Sequence, residues 1–305
     1  DHDWWGAEVY DGPFLDRIEY IDYGTDPAAW LAALESEEVD MLYESVGEFI
    51  EIMDSIGLEK SEVVTANTFC VRPNQLAEVN GQRIYEDRTV RRALAMACNN
   101  DVLLELGYAG LGEVAQNHHV CPIHPEYAEI EPAVYAPDEA AQMMQDAGIG
   151  DVEHELVSLD SGFQRDTCDA VAAQLRDAGI PVARTILPGS TYWNDWNKFP
   201  FSGTEWNMRP LGVQVLSLAY RSGAAWNESG FANEEFDRML DQAMSIADAE
   251  ERSQLMADIE RLLQEEGVII QPYWRSIYRH HIPGLLGAEM HPTFEIHPYK
   301  LALTA

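Results

Sequence analysis

The sequence predicts an α/β protein with two domains. The first observation is length, because 305 residues can bury a substantial core and favour two domains over one. The second is a pair of β-α-β patterns, one in residues 17–43 and the other in residues 153–187. Such units favour a parallel or mixed sheet with right-handed crossover connections.

The first β-α-β pattern begins with residues 17–22, which are rich in isoleucine and tyrosine and are predicted to form a strand. Asp26 is expected to cap a helix whose first residue is Pro27, since proline tolerates the missing hydrogen bond there. Residues 39–43 are the second predicted strand. An extended segment is expected at residues 62–71.

The next helix is predicted to begin at Asp87, whose side chain can cap it. Its apolar stripe consists of Val90, Ala93, Leu94 and Ala97. Arg91 and Arg92 lie off this stripe, so they are expected to form ion pairs on the surface.

The second β-α-β pattern has strands at residues 153–159 and 182–187 around a helix at 163–178. Asn233 and Asp248 are expected to cap two amphipathic helices near the end of the chain. The remaining features are a helix from Pro137 to Gly148, a helix end at Gly267, and strands at 268–274 and 299–303.

Composition excludes several classes of partner. The chain has 53 acidic and 19 basic residues, a net charge of −34, and only three lysines. That charge repels polyanions, so nucleic acids and anionic membranes are not expected partners. No apolar run approaches the roughly 18 residues of a membrane span. The acids are distributed over all helices, which indicates a solvated surface of the halophilic or marine kind.

The four cysteines are Cys70, Cys98, Cys121 and Cys168. They allow three complete pairings, and spacing does not choose among them or decide whether a disulfide forms. Cys168 lies on an apolar helical face, where a small buried thiol is equally ordinary. No C-x-x-C occurs, which argues against a thioredoxin-like or zinc-ribbon site.

Residues 107–127 are rich in glycine, histidine and proline and are predicted to form a long irregular loop. His118, His119 and His124 make a metal site a hypothesis for this loop. The H-E-x-x-H pattern and a companion C-x-x-C are both missing from the sequence. We therefore expect no metal and no cofactor, with a metal-dependent hydrolase as the alternative.

Residues 201–237 combine aromatic, arginine and asparagine side chains with glycine and proline breaks, so they are not one continuous helix. Aromatic faces beside fixed polar groups are typical of a small-ligand cleft. The alternative interpretation is a core loop with buried tryptophans.

This stretch contains W-x-x-R-P at 206–210, A-Y-R-S-G-A-A-W-N-E-S at 219–229 and F-x-N-x-x-F-D at 231–237. In this order the motifs resemble the C-terminal lobe of the family 5 extracellular solute-binding proteins, receptors of ABC importers. Earlier motifs resemble the same family in the same order. They are Asp3, Trp4, Trp5 and Gly6, then Ala33, Leu34, Glu38, Val39 and Asp40, then Asp87, Val90, Arg91, Arg92, Ala93 and Leu94.

The resemblance implies a periplasmic-binding-protein-like fold of type II (cluster C), with two lobes and without its N-terminal part. Residues 1–69 and 273–305 would belong to lobe I, and residues 70–272 to lobe II. The protein is then expected to be exported to the periplasm or cell exterior, with its signal peptide outside this chain. The expected partners are a small solute or short peptide, an importer permease and the missing N-terminal part of the same protein.

The resemblance also implies a ligand site between the lobes, which would close on the solute by a hinge. Trp206 is expected to pack against the ligand. Many peptide-binding relatives carry an aspartate close to Arg209, so a guanidinium there would favour a carboxylate on the ligand. The other expected ligand-binding residues are Tyr192, Trp193, Tyr220, Arg221, Trp226 and Asn227.

No catalytic or cofactor motif is found in the sequence, including G-x-S-x-G, a Walker loop, or G-x-G-x-x-G after a strand. We therefore predict a binding protein and not an enzyme. A sensor that uses the same scaffold without an importer is a further alternative.

Overall fold

The computed structural model describes residues 4–24, 26–47 and 49–304, so Asp3 of the first family motif lies outside the described residues. The chain forms two compact units. The smaller unit comprises Asp1–Thr65 and Ser276–Ala305, and the larger unit comprises Ala66–Arg275. The assignment of residues 1–69 and 273–305 to lobe I and of residues 70–272 to lobe II stays a prediction.

A six-stranded mixed sheet has the order β2-β6-β1-β5-β3-β4. Its strands are β1 (Glu59–Pro73), β2 (Gly112–Val114), β3 (His154–Leu159), β4 (Val182–Leu187), β5 (Phe201–Trp206) and β6 (Tyr273–His281). Strand β5 runs parallel to β3 and antiparallel to β1, with Trp206 opposite Thr68.

The second predicted β-α-β unit is confirmed. Strands β3 and β4 pair in parallel with Val157 opposite Thr185, and the connection between them contains helix α6 (Gly162–Asp177). The helices of the larger unit are α3 (Arg88–Met96), α4 (Asn100–Tyr108), α5 (Pro137–Asp146), α6 (Gly162–Asp177), α7 (Gly189–Asp195), α8 (Gly212–Ala219), α9 (Glu234–Ser245) and α10 (Ala249–Glu266).

Helix termini follow the predicted capping residues. The side chains of Asp87, Asn233 and Asp248 each accept a backbone hydrogen bond at the start of α3, α9 and α10. Gly267 ends α10 in the left-handed conformation at φ 62°, which is costly for a residue with a Cβ.

Arg91 is an exception to the prediction of surface ion pairs. Only 3% of Arg91 is exposed, and its guanidinium binds the C-terminal end of α10. Nη2 lies 2.8 Å from Oε2 of Glu266, and Nε donates to the backbone carbonyl of the same residue at 3.0 Å. The arginine therefore satisfies carbonyl groups at a helix end, a role that helical periodicity does not reveal.

The larger unit has two main apolar clusters. One includes Phe69, Leu94, Leu156 and Val171, and the other includes Trp206, Leu216, Phe236, Leu240 and Ile259. All four cysteines are buried and none of them forms a disulfide. Cys168 is fully buried in the first cluster, which agrees with the buried-thiol alternative for its apolar helical face.

The smaller unit contains helices α1 (Pro27–Glu35) and α2 (Phe49–Ser55), and the short paired strands β7 (Leu285–Leu286) and β8 (Ala302–Leu303). Asp26 caps α1 as predicted. Leu34, Leu42 and Met53 form the apolar contact beneath the two helices.

The first predicted β-α-β unit is wrong for the described residues of this unit. Residues 17–22 form no strand, and residues 39–43 contribute only an isolated bridge between Met41 and His281. Tyr20 and Ile21 are 72% and 49% exposed. Their β-forming side chains therefore lack the buried neighbours that stabilise a strand.

Candidate functional site

A cleft of about 340 Å³ opens beside the C-terminal end of β5, entirely within the larger unit. Four tryptophans line it together with one arginine and one glutamate. We call it the indole cleft, and its lining consists of Trp193, Trp196, Thr204, Glu205, Trp206, Asn207, Arg209 and Trp226.

Trp206, the last residue of β5, forms the fixed base of the indole cleft. It is only 6% exposed, and its ring meets the ring of Trp226 edge to face, with centroids 6.1 Å apart. Its indole Nε1 donates a hydrogen bond to Oε1 of Glu228 at 2.7 Å. The ring is therefore held in one orientation before any ligand arrives.

Glu228 is held in turn by Arg72, and both side chains of this ion pair are almost fully buried. Arg72 also donates to the backbone carbonyls of Ser202 and Trp196, each at 3.1 Å. These bonds satisfy much of the guanidinium away from water. The pair therefore links β1, β5 and the loop that carries Trp196.

Arg209 supplies the cation of the indole cleft. Its Nη1 donates to the backbone carbonyls of Asn207 at 2.8 Å and Met208 at 3.0 Å. Its guanidinium carbon lies 6.0 Å from the centre of the Trp226 ring, at the outer limit of a cation–π contact. Across the described part of the chain, no carboxylate forms an ion pair with Arg209.

Glu205 supplies the acid, but its charge is already engaged. It forms an ion pair with Arg275, whose side chain is fully buried. The guanidinium of Arg275 lies 4.1 Å from the centre of the Phe163 ring, and Gln164 donates to Oε2 of Glu205 at 3.4 Å. Glu205 therefore neutralises the buried charge of Arg275. Arg209, the arginine that lines the cleft, has no carboxylate partner among the described residues.

The rim of the indole cleft is aromatic and accessible. Trp193 and Trp226 are 48% and 45% exposed. Large indole surfaces that remain open to solvent can stack on a ligand without rearrangement of the core.

The structure brings four of the eight predicted ligand-binding residues into the indole cleft: Trp193, Trp206, Arg209 and Trp226. Tyr192 is fully buried, and its hydroxyl donates to the carbonyl of Gly203 at 2.6 Å. Only 3% of Tyr220 is exposed, and its hydroxyl lies 2.6 Å from Nδ1 of His119. These two tyrosines support the cleft from behind.

Arg221 and Asn227 have local partners. Arg221 pairs with Asp241 of α9. Nδ2 of Asn227 donates to the carbonyl oxygens of Arg221 at 3.0 Å and Phe231 at 2.8 Å. Asn227 thereby closes the loop that presents Trp226.

Sequence reasoning missed Trp196, Thr204, Glu205 and Asn207 as lining residues. Glu205 and Asn207 flank Trp206, so a search centred on that tryptophan could have found them. Trp196 precedes residues 201–237 in the chain, and nothing in its local pattern shows which way its side chain faces.

The three loop histidines face different partners. His119 contacts Tyr220, Nδ1 of His118 lies 3.7 Å from Oε2 of Glu260, and His124 donates to a backbone carbonyl at 3.0 Å. Burial lowers the pKa of His118 and of His119 to about 3 and raises the pKa of Glu260 to about 9. His118, His119 and Glu260 are therefore uncharged at pH 7, which suits a structural role for these buried side chains.

The chain matches a known protein family and a curated relative. The family described as bacterial extracellular solute-binding proteins, family 5 Middle, matches residues 1–228. A curated relative is the dipeptide-binding protein DppE of Bacillus subtilis (strain 168), which is 21% identical over 68% of this chain and 41% of its own.

Solved structures share the fold. The oligopeptide-binding protein AppA of Bacillus subtilis, in complex with a nonapeptide, has a TM-score of 0.79 at 19% identity and covers 92% of this chain and 59% of its own. NikA of Staphylococcus aureus with Ni(L-His)2 has a TM-score of 0.80 at 14% identity. The match covers 92% of this chain and 61% of NikA. The substrate-binding domain of an oligopeptide ABC transporter from Bacillus anthracis has a TM-score of 0.80 at 18% identity. The match covers 98% of this chain and 60% of that domain's chain.

This chain therefore spans between about two fifths and three fifths of the length of these relatives. The predicted type II periplasmic-binding-protein fold is confirmed, and no described helix is long and apolar enough to cross a membrane. The matching family, DppE and AppA are named as binding proteins, so the alternative of a metal-dependent hydrolase is not favoured. The chain belongs to the bacterial extracellular solute-binding proteins of family 5.

Proposed function

We propose that the indole cleft holds a small polar solute with a free carboxylate, such as a short peptide or a modified amino acid. The observation that carries this proposal is the guanidinium of Arg209, which lines the cleft beside the Trp226 ring without an ion-pair partner among the described carboxylates. An arginine can bind a carboxylate through two parallel hydrogen bonds.

The cleft supplies the other interactions that such a ligand needs. Trp193 and Trp226 offer exposed indole faces, and Trp206 is fixed at the base by Glu228. An aromatic contact contributes about 0.5–1.5 kcal/mol beyond its buried area, and a hydrogen bond to a charged group about 1.5–3 kcal/mol. Micromolar binding corresponds to roughly −8 kcal/mol, so these contacts and the apolar area that the ligand buries must together exceed the cost of association.

Solutes named with the relatives have compatible chemistry. AppA was solved with a nonapeptide and NikA with a nickel complex of L-histidine. Peptides and histidine both carry carboxylates, which supports a ligand of this class here. The identity between these proteins and this chain is below 20%, so the proposal takes from them the chemical class of the solute and not the solute itself.

We place the protein outside the cytoplasm as the receptor of an ABC importer, with the permease as its partner. It would hold the solute without transforming it. The engagement of its polar groups supports binding, because the carboxylate of Glu205 is paired with Arg275 and the nearby His119 is buried against the hydroxyl of Tyr220. Only a ligand that prefers the closed receptor can drive closure and delivery.

Isothermal titration of the full-length protein with di- and tripeptides, each as the free acid and as the C-terminal amide, tests this function. We expect the best free acid to bind at least about tenfold more tightly than its amide, because the amide loses the charge-assisted contact. Arg209→Gln should remove that preference, whereas Arg238→Gln, an exposed arginine of the same unit, should keep it. Equal binding of acid and amide by the unchanged protein would refute the role of Arg209.

A further inference from the structure

The sequence His291-Pro-Thr-Phe-Glu-Ile-His297-Pro, in the smaller unit, places two histidines around a glutamate. Each histidine directly precedes a proline, which restricts its backbone to extended conformations. Two of the three candidate ligands are therefore held on stiff backbone. We call residues 291–298 the tail loop.

The tail loop brings these side chains together. One ligand atom each of His291, Glu295 and His297 lies within 4.8 Å of the other two, the one such group of three among the described histidines, cysteines and acids. Nε2 of His297 lies 4.0 Å from Oε2 of Glu295, and the two imidazole rings have centroids 5.5 Å apart.

Phe294 anchors the turn between the ligands. Its backbone adopts φ 61°, and its N–H donates to the carbonyl of His291 at 2.8 Å. Its ring is 8% exposed and packs in a cluster with Ile277 and Met290. A buried anchor of this kind fixes the positions of flanking side chains on both sides of the turn.

Outer contacts are also present. The hydroxyl oxygen of Thr293 lies 2.9 Å from Nδ1 of His291 and 3.2 Å from Oε1 of Glu295. Groups that bind metal through one atom commonly hydrogen-bond through the other, which sets their orientation. Thr293 is placed to do this for two of the three ligands.

We propose that His291, Glu295 and His297 bind a Zn²⁺ ion. Two imidazoles and one carboxylate form a donor set that zinc accepts, with water completing the coordination. Imidazole donors select late transition metals, whereas Mg²⁺ and Ca²⁺ require oxygen ligands. Ligands about 2.0–2.2 Å from zinc stand roughly 3.4 Å apart. The three ligand atoms lie within 4.8 Å of one another, so each pair has to approach by no more than about 1.4 Å.

Isothermal titration of chelator-treated protein with ZnSO₄ tests the site. We expect one ion per chain, and single changes His291→Gln, Glu295→Gln and His297→Gln should each weaken binding at least about tenfold. Glu289→Gln changes an exposed carboxylate near the tail loop and should leave the affinity unchanged. Substitution of Co²⁺ should give the visible absorption of a tetrahedral site, lost in the His291→Gln/His297→Gln double variant.

The three ligands belong to the smaller unit and Trp226 belongs to the larger one, so Trp226→Ala should not alter zinc binding. Zinc affinity and stoichiometry that are unchanged in the double variant would overturn the assignment. So would equal competition by Mg²⁺ at the same concentration, because that result would indicate diffuse attraction to an acidic surface.

Discussion

Nε1 of Trp206 donates to Oε1 of Glu228 at 2.7 Å, and Glu228 is itself paired with the buried guanidinium of Arg72. This relationship joins the base of the indole cleft to the core of the larger unit. The charge of Arg72 requires Glu228, and the ring of Trp206 takes its orientation from the same carboxylate. Disruption of the pair should therefore affect both folding and ligand binding.

Glu228→Gln should lower the free energy of unfolding by about 3 kcal/mol, because it leaves the buried charge of Arg72 without a counter-ion. Trp206→Phe should lower it by only about 1–2 kcal/mol, since most of the apolar contact survives and one hydrogen bond is lost. Urea unfolding monitored by circular dichroism measures both. Glu105→Gln, at an exposed position on α4, is the control. A cost for Glu228→Gln no larger than that of the control would contradict the proposed ion pair.

Trp226→Ala should separate binding from stability. The side chain is 45% exposed, so its removal should change the unfolding free energy by no more than about 1 kcal/mol. The affinity for the best peptide should fall about tenfold, because stacking surface and the contact with Arg209 are both lost.

Calorimetric titration of Trp226→Ala alongside Trp5→Ala checks this prediction. Trp5 is 73% exposed and lies in the smaller unit, so its removal should leave the affinity unchanged. Equal losses in the two variants would mean that the exposed indole of Trp226 has no specific role.

Stability should fall as pH falls below 6.5, in part because of His119. Burial lowers its folded-state pKa to about 3, whereas the unfolded side chain has its ordinary value near 6.5. Between these values the unfolded chain binds a proton that the folded chain does not, so stability rises with pH by up to about 1.4 kcal/mol per unit.

His119→Gln removes the contribution of this one side chain to the pH dependence of the free energy of unfolding. The variant should be less stable than the unchanged protein at pH 7.5, since Gln does not restore the short contact with Tyr220. The difference should shrink as pH falls to 4. Urea unfolding at four pH values from 4 to 7.5 measures it, and a constant difference would show that His119 does not titrate on unfolding in this range.

Salt should stabilise the protein. The net charge of −34 means that the carboxylates repel one another in the folded state. Salt screens this repulsion, because the Debye length falls from about 10 Å at 0.1 M salt to about 3 Å at 1 M. Raising NaCl from 0.05 to 1 M should increase Tm by at least about 3 °C, corresponding to about 1 kcal/mol. Scanning calorimetry with NaCl and with KCl provides the control. A gain with only one of the salts would indicate specific ion binding in place of screening.

The amino-acid sequence by itself determined the features that depend on near neighbours. The caps at Asp26, Asp87, Asn233 and Asp248 and the left-handed end at Gly267 follow from local backbone chemistry. The second β-α-β unit follows from apolar periodicity, and the family follows from ordered motifs. The first β-α-β pattern failed because Tyr20 and Ile21 lack the buried neighbours that a strand requires.

Only the tertiary structure decided which side chains of the aromatic stretch face the indole cleft. Tyr192 and Tyr220 are predicted from the sequence to contact the ligand, but both side chains are buried. Their hydroxyl groups hydrogen-bond to the carbonyl of Gly203 and to Nδ1 of His119. Glu205 and Trp206 take their roles from Arg275 and Glu228, partners 70 and 22 residues away. The direction of a side chain depends on packing and charge between distant segments, and local periodicity carries no information about those partners.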